Sequence, residues 1–120
     1  MIAEELNKAG FATVAAVRRL DKIASLKPLG ICTAALDVAE EDSIDRCLAE
    51  VRASVGEVDV LVNCAGVLPM VPAEFVPRET GRHTFEVNLF GLIARAKKCL
   101  PHIRGQRRGR VINVSRLRQL

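Results

Sequence analysis

Four short apolar runs in this chain each end in a polar or glycine-rich turn, and those endings hold the side chains that could do chemistry. Val60-Leu61-Val62 runs into Asn63-Cys64-Ala65-Gly66. An earlier run ends at Val17-Arg18-Arg19 and the next at Asp37-Val38. Arg110-Val111-Ile112 runs into Asn113-Val114-Ser115-Arg116. In a nucleotide-binding α/β unit, the residue after an early strand meets the adenosine ribose. An acid there accepts hydrogen bonds from the 2′-hydroxyl, whereas an arginine neutralises a 2′-phosphate. Arg18 is such an arginine, and no acid follows before Asp21. An acid such as Asp37, just ahead of a helical pattern, either caps that helix or accepts from a ligand. Small residues at Ala65 and Gly66 let a backbone approach a ligand closely, with Gly66 suited to a turn that larger residues resist.

Apolar runs of this length, rich in β-branched residues and bounded by turn signals, read as buried parallel strands over residues 11–17, 31–38, 58–63 and 110–114. Between them lie helical patterns. Residues 1–9 read as the end of a helix stopped by Gly10, and 21–26 as one or two helical turns. The strongest helix covers 40–55, with Ile44, Cys47, Leu48, Val51 and Val55 on one face, acids in its first turn and Gly56 after it. Residues 69–77 read as a loop. Residues 80–100 read as a long helix with Phe85, Leu89, Leu92 and Ala96 along its stripe, stopped by Pro101. Alternating helices and strands predict a parallel sheet covered on both faces, with the strand ends as the ligand edge.

In this order the endings resemble the short-chain dehydrogenase/reductase family. Asn63-Cys64-Ala65-Gly66 is similar to its Asn-Asn-Ala-Gly signature, with Cys64 in place of the second Asn, and Phe85-Glu86-Val87-Asn88-Leu89-Phe90-Gly91 resembles its motif around a catalytic asparagine. The resemblance implies a partial Rossmann-type doubly wound α/β fold across residues 1–120, lacking the first strand and the C-terminal half. It implies hydride transfer between a nicotinamide cofactor and an alcohol or ketone. NADP(H) is implied over NAD(H) by Arg18. Asp37 would accept from the adenine amino group, Val38 would pack on the ring, and Asn63 to Gly66 would line the cofactor. The backbone carbonyl of Asn88 would help hold a water near the catalytic lysine.

The match departs from the family at the end of the last run. The family continues Asn-x-Ser-Ser, and its second serine bonds the substrate carbonyl. Here Ser115 fills the neighbouring serine and Arg116 stands at the catalytic position. The family's Tyr-x-x-x-Lys is absent, as is any tyrosine, and its glycine-rich loop would end before Met1. Whether the chain is an enzyme by itself is therefore open, and it is expected to be inactive alone. The alternative is a non-catalytic relative acting through protein association, by its sheet edges and long helix. In the family's strand order, 3-2-1-4-5-6-7, the strand ahead of Met1 would separate 11–17 from 58–63. The centre of the sheet is thus expected to be poorly filled.

Composition narrows the classes further. About half of the 120 residues are apolar, without Trp or Tyr, which suits an aliphatic core and excludes a disordered chain. No stretch reads as a signal peptide or a membrane span. Cys32, Cys47, Cys64 and Cys99 are widely spaced, so they read as small buried residues in a reducing compartment, with no metal site and a cytoplasmic location. The net charge of +4 is uneven: residues 95–118 hold nine Lys/Arg and no acid, against nine basic and 14 acidic residues in the first 94. No aromatic residue interleaves that basic tail for base stacking, so it reads as a solvated surface rather than a nucleic-acid site.

Overall fold

The computed structural model describes residues 2–64, 66 and 71–114. Its contacts divide the chain into two units, residues 1–57 and 58–120. Each unit is built on one parallel strand pair, so the strands form two two-stranded sheets.

In the first unit, helix α1 (Ile2–Lys8) carries Glu4 and Glu5 in its first turn and Lys8 in its last, matching its dipole. The chain then turns at Gly10 (φ 97°), and the Phe11 N–H returns to the Leu6 carbonyl. Strand β1 (Val14–Val17) is shorter than the 11–17 expected. Phe11 is exposed, and the Thr13 hydroxyl donates to the Phe11 carbonyl, so the chain bonds to itself before any ladder begins. Successive 3₁₀ turns (Leu20–Leu29) end at Gly30 and lead into strand β2 (Cys32–Ala35). The two strands pair in parallel with Val14 opposite Cys32 and Val17 opposite Ala35. Ile23, Leu26 and Ile31 form the buried core, with Ala3, Ala15 and Val17 against it. Helix α2 (Glu41–Ser54) buries Ile44, Cys47 and Val51 as the spacing required, while Val55 lies past its end and is exposed.

In the second unit, strands β3 (Val60–Asn63) and β4 (Arg110–Asn113) pair in parallel, Val60 opposite Arg110 and Asn63 opposite Asn113. A short 3₁₀ turn (Ala73–Phe75) interrupts the expected loop. The expected single helix is three pieces: helix α3 (Arg78–Phe85), a π-turn (Glu86–Phe90) and helix α4 (Gly91–Gln106). Its buried stripe is Val87, Gly91, Arg95 and Cys99, whereas Phe85 and Leu89 face solvent. The π-turn's wider winding sets the phase of the residues after it, carrying the buried stripe from Val87 to Gly91, Arg95 and Cys99. Nor does Pro101 stop the helix, which continues to Gln106. It ends at Arg107, in the left-handed region (φ 53°). At the amino end of the strands His102 Nε2 lies 3.0 Å from Asp59 Oδ1, and the Arg110 N–H donates to the Asp59 carbonyl.

All four cysteines are free. Cys47 and Cys99 are buried as expected, but Cys32, the first residue of β2, and Cys64, just past β3, are exposed. No described helix is long and apolar enough to cross a membrane.

Candidate functional site

In the first unit the carboxyl edge of the β1–β2 pair gathers three of the expected residues. Val17 is the last residue of β1, and the Leu36 N–H donates to its carbonyl at 2.9 Å. That bond carries the ladder past Ala35 and sets the following residues of both strands side by side. Arg18 is exposed immediately beyond it. Asp37 is half-buried and held from two directions. Its N–H donates to Ser43 Oγ at 2.8 Å, and its Oδ1 accepts the Ala39 N–H at 3.1 Å. This Asx turn breaks the strand short of the expected Val38, and it fixes the carboxylate at the edge. The first turn of α2 receives no side-chain cap from Asp37, since Glu40 is the cap residue. This edge thus carries one fixed acceptor, the Asp37 carboxylate, and one exposed cation, Arg18.

In the second unit the carboxyl edge of β3–β4 is a buried polar clamp. Asn63, 3% exposed, donates from Nδ2 to Asn113 Oδ1 at 3.0 Å and accepts on Oδ1 from Arg95 Nε at 2.8 Å. The two asparagines face each other in register, so their side-chain bond doubles the last pair of the ladder, past which the Val114 N–H still donates to the Asn63 carbonyl at 2.9 Å. Arg95, 6% exposed, has neither terminal nitrogen partnered among the described residues. Burial pushes its guanidinium below the ordinary value, while Cys64 and Cys99 lie near enough to oppose that shift. The sequence reading placed Arg95 in a solvated basic tail. The signal that would have found it is the spacing Val87-Gly91-Arg95-Cys99, visible only once the π-turn is known.

Gly66 meets the long helix at Asn88. A Cβ added there would come within 3.3 Å of Asn88 Oδ1, so the small residue serves close approach of loop to helix. Asn88 itself sits inside the π-turn. Such a turn slips the backbone ladder by one residue, the circumstance in which a helix carbonyl becomes available to a ligand or a water. Cys64 is exposed at the strand end. Ala65, Ser115 and Arg116 lie outside the described residues.

A cleft of about 550 Å³ in the first unit is lined by Val14, Cys32, Thr33, Lys27, Glu50 and Ser54. It opens where the strands begin, the end away from Arg18 and Asp37, and holds none of the expected residues. Among the described residues no group of acids, histidines and cysteines could hold a metal ion.

A family model described as short chain dehydrogenase matches residues 1–118. Retinol dehydrogenase 8 of Bos taurus is 35% identical over 112 residues, 88% of this chain and 35% of that protein. The crystal structure of a short-chain dehydrogenase from Streptomyces avermitilis superposes with a TM-score of 0.84 at 34% identity, over 95% of this chain and 43% of that one. That of a gluconate 5-dehydrogenase from Burkholderia cenocepacia J2315, in complex with NADP and tartrate, gives 0.79 at 29% identity, over 96% of this chain and 50% of that one. The chain thus spans about a third of the length of such curated relatives and about half of the solved chains.

Proposed function

The chain belongs to the short-chain dehydrogenase/reductase family of oxidoreductases, and from that premise we propose that it is the part of such an enzyme that selects NADP(H). The observation that carries this is the pair of carboxyl ends in the first unit: exposed Arg18 after β1 and fixed Asp37 after β2. Bound there, the nicotinamide cofactor would supply or accept a hydride for an alcohol or ketone. Arg18 would neutralise its 2′-phosphate, Asp37 would accept from the adenine amino group, and Val38 would cover the ring. In the second unit, Asn63 holds the strand edge rigid and Gly66 keeps the approach narrow.

Proton delivery to the carbonyl oxygen is a separate requirement. General acid catalysis contributes on the order of 10²–10⁴-fold. These 120 residues contain no tyrosine, and Arg116 stands where the family's substrate-bonding serine would be. We therefore propose that the chain by itself binds cofactor without turning it over.

The test is nucleotide binding followed by NMR shifts of the chain. Asp37→Ala is expected to weaken adenosine 2′,5′-bisphosphate and AMP alike, by about tenfold, the loss of one charge-assisted hydrogen bond. Unchanged binding of both would remove Asp37 from the site. Among the described residues a second reading, association with another protein chain, is favoured by the exposed face of the long helix.

A further inference from the structure

We propose that the turn joining α4 to β4 docks on an anionic phospholipid surface, with Arg104, Arg107, Arg108 and Arg110 as its contacts. This inference is independent of the cofactor reading. All four side chains are exposed, and they fall within the one segment 104–110. No acid follows Glu86 in the sequence, so nothing in the segment neutralises them. Among the described residues none of the four is ion-paired. Asp59 takes the Arg110 N–H on its backbone carbonyl, but its carboxylate is engaged by His102 Nε2 at 3.0 Å. The segment is also held in place. The Arg107 N–H donates to the Arg104 carbonyl, and Gly109 lies so close to the Asp59 carbonyl and Ile103 that a Cβ would collide.

Arg107 stands in the left-handed region (φ 53°), which glycine, and sometimes asparagine, fills at helix ends. Glycine would relieve the backbone there, so a guanidinium kept under that strain points to a use for its charge. All four cations are arginines rather than lysines. A planar guanidinium bonds a phosphate through two N–H groups at once, where an ammonium acts as a point charge. Clustered phosphates come in a lipid surface or in a nucleic acid. A nucleic-acid strand is gripped by aromatic side chains that stack its bases, and residues 91–120 contain no Phe, Tyr or Trp. Anionic headgroups ask only for a cluster of about four or more cations near one end of an element, which is what this turn offers. The turn lies where β4 begins. Docking there leaves Asn63 and Asn113 at the opposite end of the strands from the lipid.

Cosedimentation of the full chain with phosphatidylcholine vesicles, with and without phosphatidylserine, tests this. The chain is expected to bind only vesicles that contain phosphatidylserine. It is expected to leave them in about 1 M salt, where charges are screened beyond about 3 Å. Arg104→Glu with Arg108→Glu is expected to weaken binding at least about 25-fold, since each arginine near such a surface is worth about fivefold. Arg78→Glu with Arg82→Glu makes the same change in net charge on α3, and is expected to stay within about twofold of the parent because screening confines the effect to nearby charges. Arg107→Gly separates charge from backbone. It is expected to bind about fivefold more weakly with no loss in its urea midpoint, because glycine suits the left-handed turn. Helix content by circular dichroism verifies that each variant is folded. Failure to bind the charged vesicles, or equal binding to neutral ones, would overturn the inference. So would equal losses in the two reversed pairs, or an Arg107→Gly chain that binds like the parent. A chain that ignores vesicles but retards a single-stranded oligonucleotide would overturn it in favour of nucleic acid.

Discussion

At the scale of single residues, the clamp at the carboxyl edge of β3–β4 shows how one buried amide organises its neighbours. Asn63 uses both ends of its side chain, donating to Asn113 and accepting from Arg95. Asn63→Ala would leave the buried Arg95 guanidinium without its partner, while the amide of Asn113, an exposed residue, turns to solvent. We expect a loss of about 2–4 kcal/mol in urea unfolding of the chain, since the orphaned guanidinium rather than the bonds sets the cost. Arg95→Met behaves differently. The change removes a buried cation whose terminal nitrogens already lack partners among the described residues, and strands only Asn63 Oδ1. Its expected effect is within about 1 kcal/mol of neutral. A loss for Arg95→Met as large as for Asn63→Ala would mean that the guanidinium has a partner of consequence. The asparagine was legible in the sequence because it ends an apolar run. The arginine was not, because a charged residue in a basic stretch gives no hint that a helix will turn it inward.

At the scale of elements, the sequence located each described strand and α2, but took three helical pieces for one and misjudged where the stops act. Gly10, with positive φ, ends α1 as its position suggested, whereas the 3₁₀ turns run through Pro28 to Gly30 and Pro101 ends nothing. A proline forfeits one hydrogen bond, and a helix otherwise packed on a sheet survives that loss. The stripe of the long helix was misassigned for a different reason: a π-turn cannot be read from apolar spacing, yet it rotates every later residue. Strand ends were overlong because Thr13 and Asp37 bond to nearby backbone and so withdraw it from the ladder. Two glycines separate these effects. At Gly109, φ is 114° and a Cβ would collide with the Asp59 carbonyl that receives the Arg110 N–H. Gly109→Ala is expected to cost at least about 2 kcal/mol. Gly81, within α3, has open space around its Cβ position, so Gly81→Ala should stabilise the chain by about 0.5–1 kcal/mol. Equal effects at the two sites, measured by denaturant midpoint, would contradict the assigned backbone.

At the scale of the whole molecule, two parallel pairs of four-residue strands carry the fold. Two-stranded sheets are marginal without helices against them, and the core of the first unit centres on only Ile23, Leu26 and Ile31. Calorimetry of the chain is accordingly expected to show a broad transition whose calorimetric enthalpy exceeds the van't Hoff value; a sharp two-state monomer would contradict this. The family motifs were legible across the chain because they sit at strand ends, where chemistry rather than packing chooses the residue. Which strands pair was legible only through the family's strand order, which sets residues 11–17 apart from 58–63; hydrophobic runs by themselves carry no record of pairing. The proposed function turns on whether the folded chain discriminates NADP(H) from NAD(H). The most direct measurement is a fluorescence titration of the full chain with NADPH and with NADH, repeated on Arg18→Asp. The expected result is NADPH bound about 10–100-fold more tightly, with the preference abolished or reversed by the substitution, as loss of a charge-assisted phosphate contact requires. Equal affinities for the two cofactors in the unmodified chain, or a preference that Arg18→Asp leaves unchanged, would contradict it.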